Sequence, residues 1–169
     1  GTGESLDVVM EKLNELNKYA DDTIYSFSDM TTNIGKFTNA GVDLETAVEA
    51  IKGISNEAAV SGANAVEASR AMYNIAQALS VGSVKLIDWK SIENANMATM
   101  GFKQTLIETA KELGVLQKAQ IGGNLNWDEV TAQNFRASIE GVQGDTWITT
   151  EVLLESLKKY SDETTEFGK

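Results

Sequence analysis

Cysteine, histidine and proline are all absent from this 169-residue sequence. Without cysteine the chain can form no disulfide, no thiolate nucleophile and no cysteine-ligated zinc or iron–sulfur site. Without histidine it has no Ser-His-Asp triad, no imidazole metal ligand and no side chain with an unperturbed pKa near neutrality. These absences exclude redox scaffolds, zinc modules and histidine-dependent hydrolases, and the lack of proline favours uninterrupted helices.

The chain is acidic, with 14 Lys and Arg against 25 Asp and Glu and a formal net charge of −11. The middle third, residues 61–120, is nearly neutral, and both flanks are acidic. Because an acidic surface gains no affinity from releasing phosphate counterions, neither specific nucleic acid nor anionic membrane is an expected partner. No apolar run approaches the roughly 18–20 residues that span a bilayer.

Apolar residues recur at helical spacing along most of the chain. The spacing i, i+3, i+4, i+7, i+10 at the start predicts a leading amphipathic helix with one apolar face, made of Leu6, Val9, Met10, Leu13 and Leu16. Gly residues and capping residues predict where the later helices begin and end. These are expected over about 28–39, from cap Asp43 to Gly62, from cap Asn64 to Gly82, over 83–93, over 102–113, from Asn126 to Ile139, and from Thr150 onward. The expected fold class is all-α, a compact domain of six to eight short helices.

The segment near residues 137–149 leaves two alternatives open. A turn around Gly141 to Asp145 separates Ala137–Glu140 from Thr146–Thr149, and Thr, Trp and Ile suit strands, so either one small β-hairpin or a loop fits.

Three parts of the chain are expected to behave differently. Residues 1–22 form the leading helix or a linker to preceding chain, residues 23–160 form a helical module, and residues 161–169 form a frayed acidic tail. The first residues, Gly1-Thr2-Gly3, suggest a piece of a longer protein.

Carboxylates are the only candidate catalytic acids and bases. A glycosidase needs two of them roughly 5–10 Å apart beside a sugar cleft. The adjacent pairs instead fall at helix ends or in the tail, where acids complement the helix dipole and meet solvent. We interpret them as capping and surface residues; they are Asp21-Asp22, Asp128-Glu129 and Asp162-Glu163.

Other site patterns are weaker still. Asn124, Asn126 and Asp128 alternate like the start of a calcium loop, but the position of the bidentate Glu holds Phe135. No glycine-rich phosphate motif is present. The sequence therefore predicts no catalytic, cofactor-binding or metal site, and we expect the chain not to be an enzyme.

The three tryptophans, Trp89, Trp127 and Trp147, have two interpretations. They could form a binding platform, but aromatic residues in helical stripes are more often core. We expect core positions or contacts within the fold.

An ordered series of segments resembles the phage tail tape measure protein family. It runs through Met30–Val42, Ile51–Ala59, Ser69–Leu79, Asp88–Ile92, Asn134–Arg136 and Trp147–Leu153, and so covers about residues 24–160. The resemblance implies a structural role without catalysis. Members of that family occupy the lumen of a growing tail tube, which implies partners among tail tube and tail assembly proteins and a location in the virion tail, with assembly in the host bacterial cytoplasm.

The chain also departs from the full family pattern, because it lacks long helical repeats, hydrophobic membrane segments and an appended wall hydrolase. It is therefore expected to be a globular module rather than the ruler itself. A generic helical interaction domain and, less favoured, a peptidoglycan-cleaving domain are the alternatives. No particular residues are assigned to an interaction surface, and self-association stays open.

Overall fold

The computed structural model describes residues 6–20 and 27–161, and within them every regular element is helical. Eight α-helices and two short 3-10 turns form one packed core in these ranges. The all-α expectation is confirmed. The helices are α1 Leu6–Ala20, α2 Phe27–Asn39, α3 Leu44–Ser61, α4 Ala65–Val81, α5 Leu86–Asn94, α6 Met100–Glu112, α7 Phe135–Ile139 and α8 Thr150–Ser161, and the 3-10 turns are Leu116–Lys118 and Trp127–Glu129.

Local capping signals set the ends of the two longest helices. The Asp43 carboxylate accepts the Thr46 N–H at 2.9 Å and begins α3, and the Asn64 amide oxygen accepts the Glu67 N–H at 2.9 Å and begins α4. Gly62 ends α3 with a φ of 74°, a left-handed conformation that side chains disfavour. The capping residues inferred from the sequence are therefore confirmed at both helices.

The centre of the fold is the pairing of α3 with α8. A Cβ added at Gly53 would overlap the backbone carbonyl of Leu157, so the two helix backbones approach as closely as glycine allows. The Asn56 side-chain amide donates to the Tyr160 carbonyl, and the Tyr19 hydroxyl of α1 donates to the Asn56 side chain. Helix α3 thus joins α1, α2 and α8 in one core.

Residues 137–149 contain no strand, so the loop is correct and the β-hairpin is wrong. The first arm of the expected hairpin overlaps α7, whose backbone makes helical hydrogen bonds such as that from the Glu140 N–H to the Arg136 carbonyl. The second arm pairs elsewhere: Val84 N–H donates to the Ile148 carbonyl at 2.8 Å, and Ser83 and Thr149 form an isolated antiparallel bridge. The segment therefore connects to the α4–α5 link instead of folding back on residues 137–140.

The single helix expected from Asn126 to Ile139 is also wrong. The segment is a 3-10 turn followed, after a break, by α7. The Asn134 amide accepts the Thr131 N–H at 2.8 Å and donates to the Glu129 carbonyl at 2.9 Å, so side-chain bonds take the places of helical backbone bonds. Val130 is extended, with ψ at 124°.

The division into residues 1–22, 23–160 and 161–169 stays a prediction. Helix α1 lies within the first part and packs on α2 and α3 through its carboxyl-terminal half, where Leu16 is buried. The break expected at 21–28 lies mostly outside the described residues, and so does the acidic tail after Ser161. No helix among the described residues is long and apolar enough to cross a membrane.

Candidate functional site

Of the three carboxylate pairs weighed as catalytic residues, only Asp128-Glu129 lies among the described residues. The Glu129 carboxylate accepts the Asn126 N–H at 2.8 Å and closes the 3-10 turn, so the structure assigns it the capping role inferred from the sequence. Asp21-Asp22 and Asp162-Glu163 lie outside the described residues. Within 6–20 and 27–161, no three acidic side chains converge in a way that could hold a metal ion.

The alternating residues after the double glycine form a loop, as the sequence indicates. Asn124 adopts a left-handed conformation with φ at 57°. Phe135, which stands at the position of the calcium-binding Glu, is buried between two tryptophans instead of facing the loop.

Two of the three tryptophans belong to a continuous buried aromatic cluster. The Phe135 ring lies 4.4 Å from the Trp89 ring and 5.1 Å from the Trp147 ring, centroid to centroid. The Trp147 indole N–H donates to the Ser138 hydroxyl at 2.8 Å, which satisfies its only polar group. Core positions are confirmed for Trp89 and Trp147, whereas Trp127 is 39% exposed on its 3-10 turn and so does not lie in the core. The three rings therefore form no common platform.

One buried carboxyl group stands out from the apolar core. Glu57 on α3 is fully buried; its Oε2 accepts the Thr99 hydroxyl at 2.6 Å, and its Oε1 has no hydrogen-bond partner among the described residues. Burial raises the pKa of Glu57 to about 7, although the Thr99 bond opposes the rise. Thr99 also accepts the Phe102 N–H at 3.1 Å and so caps α6. Glu57 thus joins α3 to the start of α6, and it is mostly protonated below pH 7.

The spacing of residues on α3 carries a signal for this buried carboxyl group. Glu57 follows Ile54 by three residues and Ala50 by seven, so it falls on the apolar face of α3. A carboxyl group at such a position is buried if the face is buried. Its pairing with Thr99, 42 residues away, depends on the packing of α3 against the α5–α6 connection and is not visible in local spacing.

A second polar cluster fastens the α4–α5 link to the segment before α8. The Lys85 ammonium lies 3.2 Å from the Asp145 carboxylate, and the Ser83 hydroxyl donates to the same carboxylate at 3.1 Å. Together they hold the pKa of Asp145 below its usual value. Ser83 also accepts the Thr146 N–H at 3.1 Å. Ser83 is buried, and its hydroxyl is already bonded to the Asp145 carboxylate and the Thr146 N–H. We therefore interpret the cluster as a structural link and not as an activated nucleophile.

The solvent-facing side of α4 carries an exposed row of residues at helical spacing, which we call the α4 stripe. Its apolar members are well exposed: Val66 by 68%, Tyr73 by 44% and Val81 by 62%. Successive members are three or four residues apart and so share one face. The stripe consists of Val66, Arg70, Tyr73, Gln77 and Val81.

A groove of about 260 Å³ runs between α2 and α4 beside this stripe. The Lys36 ammonium of α2 sits 3.8 Å from the centroid of the Tyr73 ring, a cation–π contact at the mouth of the groove. On the other side of α4, the Asn74 amide donates to the Ser91 hydroxyl of α5 at 3.1 Å. The α4 stripe is therefore a ridge with α2 on one side and α5 on the other. The groove residues are Lys36, Asn39, Tyr73, Ala76, Gln77 and Ser80.

Comparison with known proteins identifies the family. A sequence model described as tape measure protein matches residues 2–167, nearly the whole chain. Searches of curated proteins and of solved structures find no match. The match agrees with the resemblance carried by the ordered segments between Met30 and Leu153, and it extends beyond both ends of them. This all-helical chain therefore belongs to the tape measure protein family, a structural family of phage tails.

Proposed function

We propose that this chain is a globular module of a phage tail tape measure protein that takes part in tail assembly and tail-length determination through protein–protein contacts. The family match over residues 2–167 is the observation that carries the proposal. The proposed partners are tail tube and tail assembly proteins, and the proposed place of action is the host bacterial cytoplasm during assembly and the virion tail afterwards. The module performs no catalysis in this role.

The dimensions of the fold support a module rather than a ruler. A single straight helix of 169 residues would measure about 250 Å at 1.5 Å per residue. The longest helix here, α3, has 18 residues and so extends about 27 Å before Gly62 turns the chain back. The helices stack on one another around α3, so the length of this piece cannot itself set the length of a tail.

The exposed apolar residues support a role in contacts. Val66 and Val81 of the α4 stripe each expose more than half of their surface, in a part of the chain that carries nearly balanced charge. Exposed apolar residues grouped on one face are typical of protein-binding surfaces. A generic helical interaction domain would share this feature, but it would not account for the family match.

The test is a binding experiment with the purified chain and each purified tail protein of the same phage. We expect the chain to bind at least one tail tube or tail assembly protein reversibly, with saturation, and not to bind an unrelated acidic helical protein of similar size. If it binds none of the tail proteins, the proposed role through protein–protein contacts is wrong.

A further inference from the structure

The α4 stripe combines the features of a docking ridge. Its two valines lie 15 residues apart, which is about 22 Å or four helical turns, and Tyr73, near the middle, lines the α2–α4 groove. Tyr and Arg are the residue types that most often anchor protein interfaces, and both occupy this face. Exposed apolar residues occur at both ends and near the middle of α4, with Arg70 and Gln77 between them.

The charge of this face is opposite to that of the chain. The net charge of the chain is −11, whereas the stripe and the groove contain two cations, Lys36 and Arg70. Glu67 is ion-paired with Arg70 at 3.5 Å, so Lys36 supplies the excess positive charge of this face. The half-buried Lys36 places its ammonium 3.8 Å from the centroid of the exposed Tyr73 ring. A partner meeting this face therefore gains from negative charge.

We propose that the α4 stripe and the adjoining groove bind an acidic amphipathic helix of another phage tail protein. The inference rests on the proposed function, since it names the surface and the chemistry of the partner for those contacts. A helix of about four turns matches the length of the stripe, its apolar residues cover Val66, Tyr73 and Val81, and its carboxylates meet Lys36 and Arg70. A symmetric contact between two α4 stripes is disfavoured because it would bring the cations of both copies together.

The test compares two charge-reversal variants of the full chain against the tail protein that binds it most tightly. Lys36→Glu with Arg70→Glu changes the stripe, and Lys111→Glu with Lys118→Glu makes the same change in net charge on α6 and the 3-10 turn packed against it. Affinity is measured by titration calorimetry at low and at moderate salt, and circular dichroism checks that each variant stays folded.

We expect the stripe variant to bind at least tenfold more weakly and to lose most of the salt dependence, and the control to bind within twofold of the parent. Tyr73→Ala, which changes no charge, is expected to weaken binding at least tenfold, and Trp127→Ala, at an exposed aromatic elsewhere, to leave it unchanged.

Three results would distinguish failure of the proposed surface from failure of the proposed function. If a tail protein binds the parent chain and both charge-reversal variants equally, the α4 stripe is not the surface, while the role in protein–protein contacts stands. If no tail protein binds the parent chain, the proposed function fails first. If sedimentation shows that the parent chain self-associates and the stripe variant does not, the occupant is a second copy, and the inferred acidic helix of another protein is wrong.

Discussion

Replacing the buried carboxyl group of Glu57 with an amide should change how the stability of the fold depends on pH. The pKa of Glu57 in the folded chain is about 7, whereas its ordinary value is 4.5. The folded state therefore holds this proton more tightly than the unfolded state. Its contribution to stability is fully present below pH 4.5 and is lost as the pH rises to about 7.

The size of the effect follows from the shift. One pKa unit corresponds to 1.36 kcal/mol, so the difference between 4.5 and about 7 corresponds to about 3 kcal/mol of unfolding free energy lost across that range. In the Glu57→Gln variant this loss disappears. The burial cost of the new amide shifts stability by a constant amount at every pH, so it does not enter the pH dependence.

The measurement is urea unfolding of the parent chain and Glu57→Gln at intervals between pH 4.5 and 8. We expect the difference in unfolding free energy between the two proteins to move by about 3 kcal/mol in favour of the variant as the pH rises. Interference from other groups that titrate in this pH range is small, because the chain contains no histidine. Burial also raises the pKa of Asp88, but its effect is common to both proteins and cancels.

Two further variants make the reasoning refutable. Glu45→Gln removes an exposed carboxylate from the same helix and controls for the loss of one charge from α3. Thr99→Val removes the hydroxyl that stabilises the carboxylate, so it should move the pH transition upward as well as weaken the cap of α6. If the unfolding free energies of the parent chain and Glu57→Gln run parallel from pH 4.5 to 8, Glu57 does not hold a proton in the core.

Three other predictions follow from the same structure. Gly53→Ala should lower the unfolding free energy measured in urea by about 1–3 kcal/mol, because the added methyl group meets the Leu157 carbonyl. Gly35→Ala, where the added methyl group has open space, should raise the unfolding free energy by about 0.5–1 kcal/mol. Equal effects of the two substitutions would contradict the close approach of α3 and α8. Asp43→Ala should cost about 1 kcal/mol, and an unchanged urea midpoint would argue against the cap on Thr46. The purified chain should not clear a suspension of bacterial cell walls in a turbidity assay, and clearing that one carboxylate substitution abolishes would establish a hydrolase.

The elements that could be predicted are those whose signals are local. Asp43 and Asn64 accept N–H groups three residues ahead, and Gly62 and Gly82 end helices in left-handed conformations, so each boundary depends on a few neighbouring residues. The apolar face of α3 was also readable from its spacing. The family could be recognised because its segments occur in order along the chain.

The elements that could not be predicted depend on contacts far apart in sequence. Thr149 pairs with Ser83 across 66 residues, which turns a candidate hairpin into a loop tied to the α4–α5 link. Asn134 breaks the expected helix by bonding to Thr131 and Glu129, although its neighbours have helical spacing. The exposure of apolar residues on α4 also depends on distant contacts. Apolar residues occur on both sides of this helix, and the positions of α2 and α5 decide which side is buried.

The arrangement of the core explains how a surface on α4 can be presented by so small a fold. Helix α8 covers α3, and Gly53 lets their backbones touch. The bond from Asn56 to Tyr160 within this pair joins residues 104 positions apart in sequence. Helix α4 follows α3 directly and buries Ala68, Met72 and Ile75 in that same core. The opposite side of α4 therefore faces solvent. Helix α4 cannot rotate about its axis without exposing these buried apolar residues. The exposed valines and Tyr73 are therefore a fixed consequence of the packing, which is what a docking surface for a partner helix requires.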